Sequence, residues 1–312
     1  MIADYLFQRF CNIFPHYVVR KNFFYKKIFY LFFSCFKFFL IKPVVLNFKD
    51  YKFLAFPQKL DYSRFLLTRG DLPDPVELDL IKNTIKNKKS LFIDCGSNYG
   101  SYSIPIATFN KNCDVYAFDA SRSVKKTFFR NLKLNNLKNI RYHNLAIGNE
   151  NKTVIFHEDI YNDIISSTGS GFVVNKVSSK NLDYKIKMIR LDSFFSSVKL
   201  KKYELVFIKI DLEGHDIKAI YGSSNIIKKI KTVIMFEFSK MIYTGGFVEK
   251  DFVNFLNKNN LIITDLNLEL LTLQKLKTRL NELDNSHQTC GNYLLFNKNQ
   301  IKKELSNNTK RE

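Results

Sequence analysis

Short apolar runs separated by segments with helical apolar spacing extend from residue 90 to residue 296. Near-continuous apolar runs are typical of strands in a parallel sheet whose two faces are both covered. The predicted strands are Leu91–Ile93, Val115–Phe118, Ile140–Ala146, Val154–Phe156, Glu204–Asp211, Thr232–Phe238, Leu261–Thr264 and Asn292–Phe296. The predicted helices include Glu77–Asn87, Val124–Asn135 and Glu249–Asn259. The alternation predicts an α/β protein with an open sheet and helices on both faces.

Three regions of the chain differ in pattern. Residues 1–85 form an extension before the regular alternation, residues 86–297 form the predicted domain, and residues 298–312 form a charged tail. Within the domain, residues 162–187 are polar and contain Ser166–Gly171, rich in serine and glycine. Such composition predicts a flexible loop, and a loop of that length beside a ligand site is more often functional than idle.

The extension contains an apolar, strongly aromatic run of 14 residues, Ile28–Ile41. From Tyr5 to Lys49 there are eight Lys or Arg and no acidic residue. One interpretation is an interfacial segment, residues 20–45, on the anionic inner face of a membrane, which predicts a cytoplasmic protein. The other is a helical subdomain that packs on the core or on a second subunit, and the pattern leaves both open.

The chain has a formal net charge of +20, which makes nucleic acid and an anionic membrane candidate partners. Its lysines are scattered among asparagines, a pattern more typical of a solvated surface, so nucleic acid is not the expected partner. Five widely spaced cysteines without a CxxC motif favour a reducing compartment and no zinc site. The group His157-Glu158-Asp159 has only a generic spacing for a divalent metal, so no metal is expected.

The stretch LFIDCGSNYG at 91–100 predicts a strand, a glycine turn and a helix start, the place where an open parallel sheet binds ligands. A carboxylate at the turn disfavours a pyrophosphate, whereas it favours a cationic amino-acid ligand. We therefore predict that Asp94, Gly96, Asn98 and Gly100 bind S-adenosylmethionine, with Asp94 near its ammonium group or a bound water. The open alternative is any doubly wound α/β domain with a glycine turn.

Two further residues are predicted to line the same ligand. Asp119 ends the next strand, 25 residues after Asp94, where a carboxylate suits hydrogen bonds to a ribose diol. The third strand ends at Ala146, which is expected to line an adenine pocket.

Charged residues interrupt the predicted core strands at Lys209, Asp211, Glu213 and Glu237. Isolated charges inside a covered sheet are costly, so these should be paired or lie at the exposed strand end. The structural interpretation is an ion pair of Lys209 with Asp211 or Glu237. The functional interpretation places Asp211, Glu213 and Lys209 around an acceptor hydroxyl and a cationic methyl donor, as catalytic residues.

Taken together, these residues resemble the FkbM family of methyltransferases. The matching pieces are IDCGSNYGSYS at 93–103, VYAFDAS at 115–121, NLKLNN at 131–136, NLAIGN at 144–149, LD at 191–192, IKIDLEGHD at 208–216 and MFEFS at 235–239. The resemblance implies a Rossmann-like class I methyltransferase fold with a seven-stranded sheet, one strand being antiparallel. It also implies methyl transfer from S-adenosylmethionine to a hydroxyl, often on sugars of surface polysaccharides, on glycolipids or on natural products. Two departures keep the charge: Asp119-Ala120 replaces Glu-Pro, and Asp216 ends the motif in place of Glu.

Two other functions are weighed against an O-methyltransferase acting on a small-molecule or glycan acceptor. An RNA or protein methyltransferase is suggested by the charge of +20 and predicts steep salt dependence of substrate binding. A non-catalytic, membrane-attached factor on the same fold would not need Asp94, Gly96, Gly100 and Asp119. A homo-oligomer formed through the extension is also compatible with the pattern.

Overall fold

A computed structural model describes residues 2–13, 22–36, 39–56, 66–67, 72, 74–158, 160–161, 164–165, 171–174, 182–285, 290–297 and 299 of the 312-residue chain. The described helices are α1 (Ile2–Ile13), α2 (Phe23–Phe36), α3 (Pro75–Ile85), α4 (Ser103–Phe109), α5 (Arg122–Asn135), α6 (Leu191–Phe194), α7 (Asp216–Tyr221), α8 (Ser224–Lys229), α9 (Met241–Thr244), α10 (Glu249–Lys258) and α11 (Leu273–Asn285). The described strands are β1 (Val44–Asn47), β2 (Lys52–Ala55), β3 (Ser90–Cys95), β4 (Cys113–Phe118), β5 (Ile140–His143), β6 (Ala146–Ile147), β7 (Lys152–Glu158), β8 (Ile160–Tyr161), β9 (Ile164–Ile165), β10 (Gly171–Val174), β11 (Leu182–Ile189), β12 (Leu205–Ile210), β13 (Thr232–Ser239), β14 (Leu261–Thr264), β15 (Leu270–Leu271) and β16 (Cys290–Asn297).

Eight strands of the described chain form the main sheet, in the order β15-β14-β16-β13-β12-β3-β4-β5. The strands from β13 to β5 are mutually parallel, and β16 runs antiparallel to both β13 and β14. These seven strands, from β14 to β5, are the predicted sheet with its one antiparallel member, so the predicted fold class is confirmed. The two-residue β15 adds an antiparallel eighth strand at the edge.

The parallel strands are almost entirely apolar because side chains cover both faces of the sheet. Phe92 and Phe207 belong to one apolar core, whereas the neighbouring Ile93 and Ile208 belong to the other. This separation follows from the two-residue period of a strand. Asp94 of β3 lies opposite Lys209 of β12 in the register, so the carboxyl ends of the two strands meet at one edge. That edge is where the candidate site lies.

A second, smaller sheet has the order β10-β7-β11-β6 and corrects two predictions. The predicted strand Ile140–Ala146 ends at His143, and Ala146 instead begins β6, which pairs with β11. The predicted loop at 162–187 contains β10 and most of β11, both of which pair with β7. Of the serine- and glycine-rich stretch, only Gly171 is within the described residues, and it begins β10.

The physical reason for the second correction is an alternation hidden among polar residues. Ile186 and Met188 of β11 are buried in a small apolar cluster with Val154 and Phe156 of β7. The intervening Lys185 and Lys187 are exposed. Because the exposed positions of this strand are lysines, its overall composition resembles that of a loop.

The extension packs on the same side of the main sheet as α4 and α5. Phe7 and Phe10 of α1 contact Phe29 of α2, and all three belong to the core that includes Phe92 of β3. The carboxylate of Asp4 accepts hydrogen bonds from the N–H groups of Ile41 and Lys42, at 2.9 and 2.8 Å. These bonds hold the chain after α2 against the start of α1. None of the described helices combines the length and apolar content required to cross a membrane.

One buried side chain connects the extension to the glycine turn. The Oδ1 of Asn131, on α5, accepts a hydrogen bond from the N–H of Leu54 in β2 at 2.8 Å. The Nδ2 of Asn131 donates to the carbonyl of Tyr99 at 3.0 Å. A single amide therefore positions both the hairpin β1–β2 and the backbone of the turn.

Candidate active site

The chain turns sharply after β3, as the two glycines predict. Gly96 and Gly100 have φ angles of +81° and +93°, and Asn98 between them has +47°. A Cβ at Gly96 would lie 1.9 Å from the carbonyl oxygen of Asp211. The sequence suggests that the missing side chain of Gly96 leaves room for a ligand. In the structure, the backbone just beyond β12 occupies that space. Gly96 therefore lets the segments that follow β3 and β12 approach each other.

Asp94 is fully buried at the end of β3. Its Oδ2 accepts hydrogen bonds from the Ser103 N–H at 3.1 Å and from the Ser103 hydroxyl at 2.5 Å. Its Oδ1 is buried and has no hydrogen-bond partner among the described residues. Burial raises the pKa of Asp94, while the Lys209 charge and the Ser103 hydrogen bonds oppose this shift. The remaining acceptor fits an ammonium group or a bound water, the role predicted for Asp94.

Asp119 follows β4 and is held by backbone on both oxygens. The N–H of Asn98 donates to its Oδ2 and the N–H of Ser121 to its Oδ1, each at 2.8 Å. Burial raises the pKa of Asp119 to about 6, these two N–H groups lower it, and the charges of Asp94 and Glu158 raise it. The carboxylate is only partly buried, so its remaining lone pairs can accept hydrogen bonds from a diol. Asn98 thus contributes through its backbone to the predicted site.

Glu158, which the sequence suggests only as part of a metal-binding group that is not expected, adds an acid near Asp119. It is buried at the end of β7 and accepts hydrogen bonds from the hydroxyls of Ser121 and Ser123. In the same region the Tyr184 hydroxyl donates to the Ala120 carbonyl at 3.0 Å. The small sheet is therefore fastened to the loop that carries Asp119. No local motif signals this arrangement, because its partners lie more than 30 residues apart.

Lys209, only 4% exposed, lies between an acid and an aromatic ring. Its Nζ is 2.9 Å from Oδ2 of Asp211 and 4.8 Å from the centre of the Tyr102 ring. The Tyr102 hydroxyl donates to Oδ2 of Asp74 at 2.9 Å. Burial acts to lower the pKa of Lys209, but the charges of Asp211 and Asp94 outweigh it and raise the pKa. The ion pair expected on structural grounds is thus present, and it borders the candidate site.

Two more acids, Asp216 and Glu237, interact electrostatically with this pair. Asp216 is buried, and its Oδ2 accepts long hydrogen bonds from the N–H groups of Leu212 and Gly214. Burial and the Asp211 charge raise the pKa of Asp216 to about 7. Glu237 of β13 has its pKa raised to about 9, first by burial and then by Asp211, Asp216 and Glu213. Sequence reasoning noted Glu237 as unusual but did not include it in the site.

The predicted catalytic residues Asp211 and Glu213 are both partly exposed, unlike Lys209. Glu213 has a φ of +50°, so the turn after β12 holds it in the left-handed region. Ala146, predicted to line the adenine pocket, lies in the small sheet, where it packs in a buried cluster with Met188. Its expected place at the end of the third strand is wrong because that strand stops at His143. A role in cofactor binding stays a prediction for Ala146.

Two properties of this edge determine what it can do chemically. Acids on β3 and β13 and in the segment after β12 lie near one buried cation, so a positively charged ligand that enters this edge favours their ionised forms and is stabilised by them. Asp211 and Glu213 are accessible carboxylates that can accept or orient a proton.

Comparison with known proteins agrees with this chemistry. Residues 94–265, more than half of the chain, match the family described as "Methyltransferase FkbM domain". This match confirms the resemblance read from the sequence motifs. A protein named "Methyltransferase 1" from Beauveria bassiana (strain ARSEF 2860) is 22% identical over 147 residues. That alignment covers 43% of this chain and 58% of the relative, so the chain spans just over half of the relative's length.

Solved structures of similar proteins share low sequence identity with the chain. Methyltransferase FkbM from Methylobacillus flagellatus KT is 14% identical, with a TM-score of 0.38, over 75% of this chain and 52% of that one. An rRNA methylase from Streptococcus thermophilus is 11% identical, with a TM-score of 0.38, over 73% of this chain and 97% of that one.

Proposed function

The chain belongs to the FkbM family of methyltransferases, and on that premise we propose that it transfers a methyl group from S-adenosylmethionine to a hydroxyl group of a sugar. The observation that carries the proposal is the group of acids around Lys209 at the strand edge. A sulfonium donor is a cation, so its approach favours the ionised forms of these acids, which then stabilise it.

The donor end of the site is supported by the fit of its residues. The buried Oδ1 of Asp94 is an acceptor with no hydrogen-bond partner among the described residues, which suits the ammonium group of the donor. Asp119 is pre-oriented by two backbone N–H groups and can accept from a ribose diol. S-adenosylmethionine supplies, when bound, an electrophilic methyl group on sulfur.

The acceptor end is assigned to Asp211 and Glu213. The acceptor oxygen forms a bond to the methyl carbon as the carbon–sulfur bond breaks, and its proton passes to a carboxylate or to water. Asp211 is held by Lys209 at 2.9 Å, and this ion pair orients its carboxylate for a hydroxyl. Lys209 acts as a positioning residue, since the geometry gives it Asp211 as its partner.

Transfer to oxygen rather than nitrogen is supported by the segment after β12. Many N-methylating enzymes carry an Asn/Asp-Pro-Pro-aromatic motif at this place, whereas this chain has IKIDLEG at 208–214. A sugar hydroxyl is the acceptor implied by the resemblance, which links the chain to glycan, glycolipid and natural-product acceptors.

A second candidate, methylation of RNA, is favoured by one surface. Every exposed residue of α5 except Phe129 is cationic, so the helix presents an open basic face formed by Arg122, Lys125, Lys126, Arg130 and Lys133. An RNA substrate would bind with steep salt dependence, whereas a neutral glycan would bind with little. Measuring substrate binding between 50 and 200 mM salt separates the two candidates.

Thermal unfolding with added ligand tests the donor assignment. S-adenosylmethionine or S-adenosylhomocysteine at about 100 times its Kd should stabilise the protein by about 2.7 kcal/mol, a shift of several degrees, and NAD should not. The shift should disappear in Asp94→Asn and persist in Asp79→Asn, a matched change at an exposed position. Release of S-adenosylhomocysteine with candidate glycans then tests transfer. A folded wild type that neither ligand stabilises would refute the donor assignment.

A further inference from the structure

Helix α2 breaks the usual division of a surface helix into an apolar and a polar face. Its inner face is buried through Phe29 and Phe33, which pack in the core. Its outer face carries Phe23, Phe24 and Leu31, exposed at 73%, 66% and 70%. Phe24 and Leu31, seven residues apart, lie in one row along the helix, opposite Phe29 and Phe33, and Phe23 lies beside that row. A surface helix normally carries polar residues on the face that contacts water, so the apolar outer face of α2 requires another explanation.

Exposed apolar side chains concentrate in this part of the described surface. Ten of the seventeen large apolar residues found exposed in the described chain lie between residues 2 and 41. They are Ile2, Tyr5, Leu6, Ile13, Phe23, Phe24, Tyr30, Leu31, Phe39 and Ile41. The other seven are scattered between residues 76 and 270. A concentration of this kind marks an interaction surface, whereas scattered residues need no explanation.

Cations accompany the apolar face. Lys27 lies on the exposed side of α2, with its Nζ 4.7 Å from the centre of the Phe23 ring. Arg9 and Lys42 are exposed nearby in the sequence, and Lys26 is partly exposed. The stretch 5–49 has no acidic side chain to neutralise them. Aromatic residues with cations and no acids match the chemistry of anionic lipid headgroups over an acyl interior.

We propose that the outer face of α2 docks on the surface of an anionic lipid bilayer. The inner face is held in the protein core, so the helix lies parallel to the bilayer with only its outer face inserted at the headgroup level. A second copy of the chain fits this face less well, because a two-fold interface would bring two acid-free cationic segments together. The docking needs no bound donor and is independent of the proposed methyl transfer.

Vesicle flotation with the full chain tests the proposal. The vesicles are phosphatidylcholine alone, or equal parts of phosphatidylcholine and phosphatidylglycerol, at 150 mM salt. The wild type should float with the anionic vesicles and remain largely behind with the neutral ones. Phe24→Gln with Leu31→Gln should weaken binding at least tenfold, since two large apolar groups no longer insert. Lys27→Gln, which removes the cation on the outer face, should weaken it about fivefold.

Matched controls separate this face from the general positive charge. Val253→Gln removes an exposed apolar residue from α10, and Lys228→Gln with Lys229→Gln removes two exposed cations from α8. Neither control should alter vesicle binding, and all variants should unfold at the wild-type temperature. Equal losses in the controls and the α2 variants would show general charge attraction and overturn the proposal. Absence of vesicle binding would also overturn it, whether the protein is monomeric or forms a dimer that Phe24→Gln with Leu31→Gln disrupts.

Discussion

The donor and acceptor halves of the strand edge hold their acids in different ways. At the donor half, Asp94 and Asp119 accept hydrogen bonds from Ser103 and from backbone N–H groups. At the acceptor half, Asp216 and Glu237 are surrounded by other acids, and their pKa values are raised to about 7 and about 9. The donor half is thus fixed in geometry by hydrogen bonds from the fold, whereas in the acceptor half burial and neighbouring acids raise the pKa values furthest.

Removing Lys209 should have the largest effect on this contrast, because it leaves the acceptor half without its buried cation. Lys209→Met should lower the free energy of unfolding by about 3–5 kcal/mol at pH 8 and by less at pH 5, where the acids can protonate. Chemical denaturation at both pH values measures the change. Lys82→Met, which removes a surface ion pair with Asp79, should have an effect below about 1 kcal/mol. A similar loss for both variants would contradict the importance assigned to Lys209.

Gly96→Ala should disturb the junction of the two halves. The new Cβ would meet the Asp211 carbonyl at 1.9 Å in a backbone with φ of +81°, so we expect a loss of about 2–5 kcal/mol. Gly246→Ala is the matched control, since its φ is +83° and the nearest side-chain atom is 3.9 Å away. Thermal unfolding should show only about 1–2 kcal/mol for that control. Equal losses would mean that backbone strain, and not the close approach, determines the effect.

Asp119→Asn should weaken donor binding without affecting the acceptor half. Loss of a charged hydrogen-bond acceptor costs about 1.5–3 kcal/mol, or about 10- to 100-fold in Kd by calorimetry. In the wild type, affinity should fall as pH drops below about 6, because Asp119 then becomes protonated. The variant should show a flatter pH profile in that range. An unchanged Kd would exclude Asp119 from the donor site.

The smallest effect is expected from Glu237→Gln, and it appears in the pH dependence. The pKa of Glu237 is about 9 in the fold and 4.5 ordinarily, so the folded protein binds the extra proton between these values. Its contribution to stability is therefore present at low pH and declines as pH rises through this window. Relative to wild type, the variant should gain about 1.4 kcal/mol between pH 6 and pH 7, one pH unit inside this window. Parallel stability curves would show that Glu237 is charged at neutral pH.

The sequence predicts the donor half better than the acceptor half. The strand–turn–helix pattern around Asp94 is local and strongly periodic, so both the fold and the positions of Asp94 and Asp119 follow from it. The ion pair of Lys209 and Asp211 is also predictable, because a charge in a covered strand requires a partner. The raised pKa of Glu237 arises from acids on other elements, which no local pattern contains.

Other differences have similar physical causes. The contact of Ser123 with Glu158 spans 35 residues and depends on the small sheet, in which the alternating lysines of β11 obscure the strand pattern. Helix α11 was not predicted, although Leu273, Leu276 and Leu280 have helical spacing and are buried. Its other residues are mostly polar, so the short apolar stripe is only a weak sequence signal for a helix.

The bond from Leu54 to Asn131 has a consequence for synthesis of the protein. Its two residues are 77 positions apart, so Leu54 is synthesised well before its acceptor. At about 5–20 residues per second, that interval lasts about 4–15 s. During this time the aromatic helices have no sheet to pack against. The nascent extension is therefore a ready target for chaperones or a membrane surface before the rest of the domain is translated.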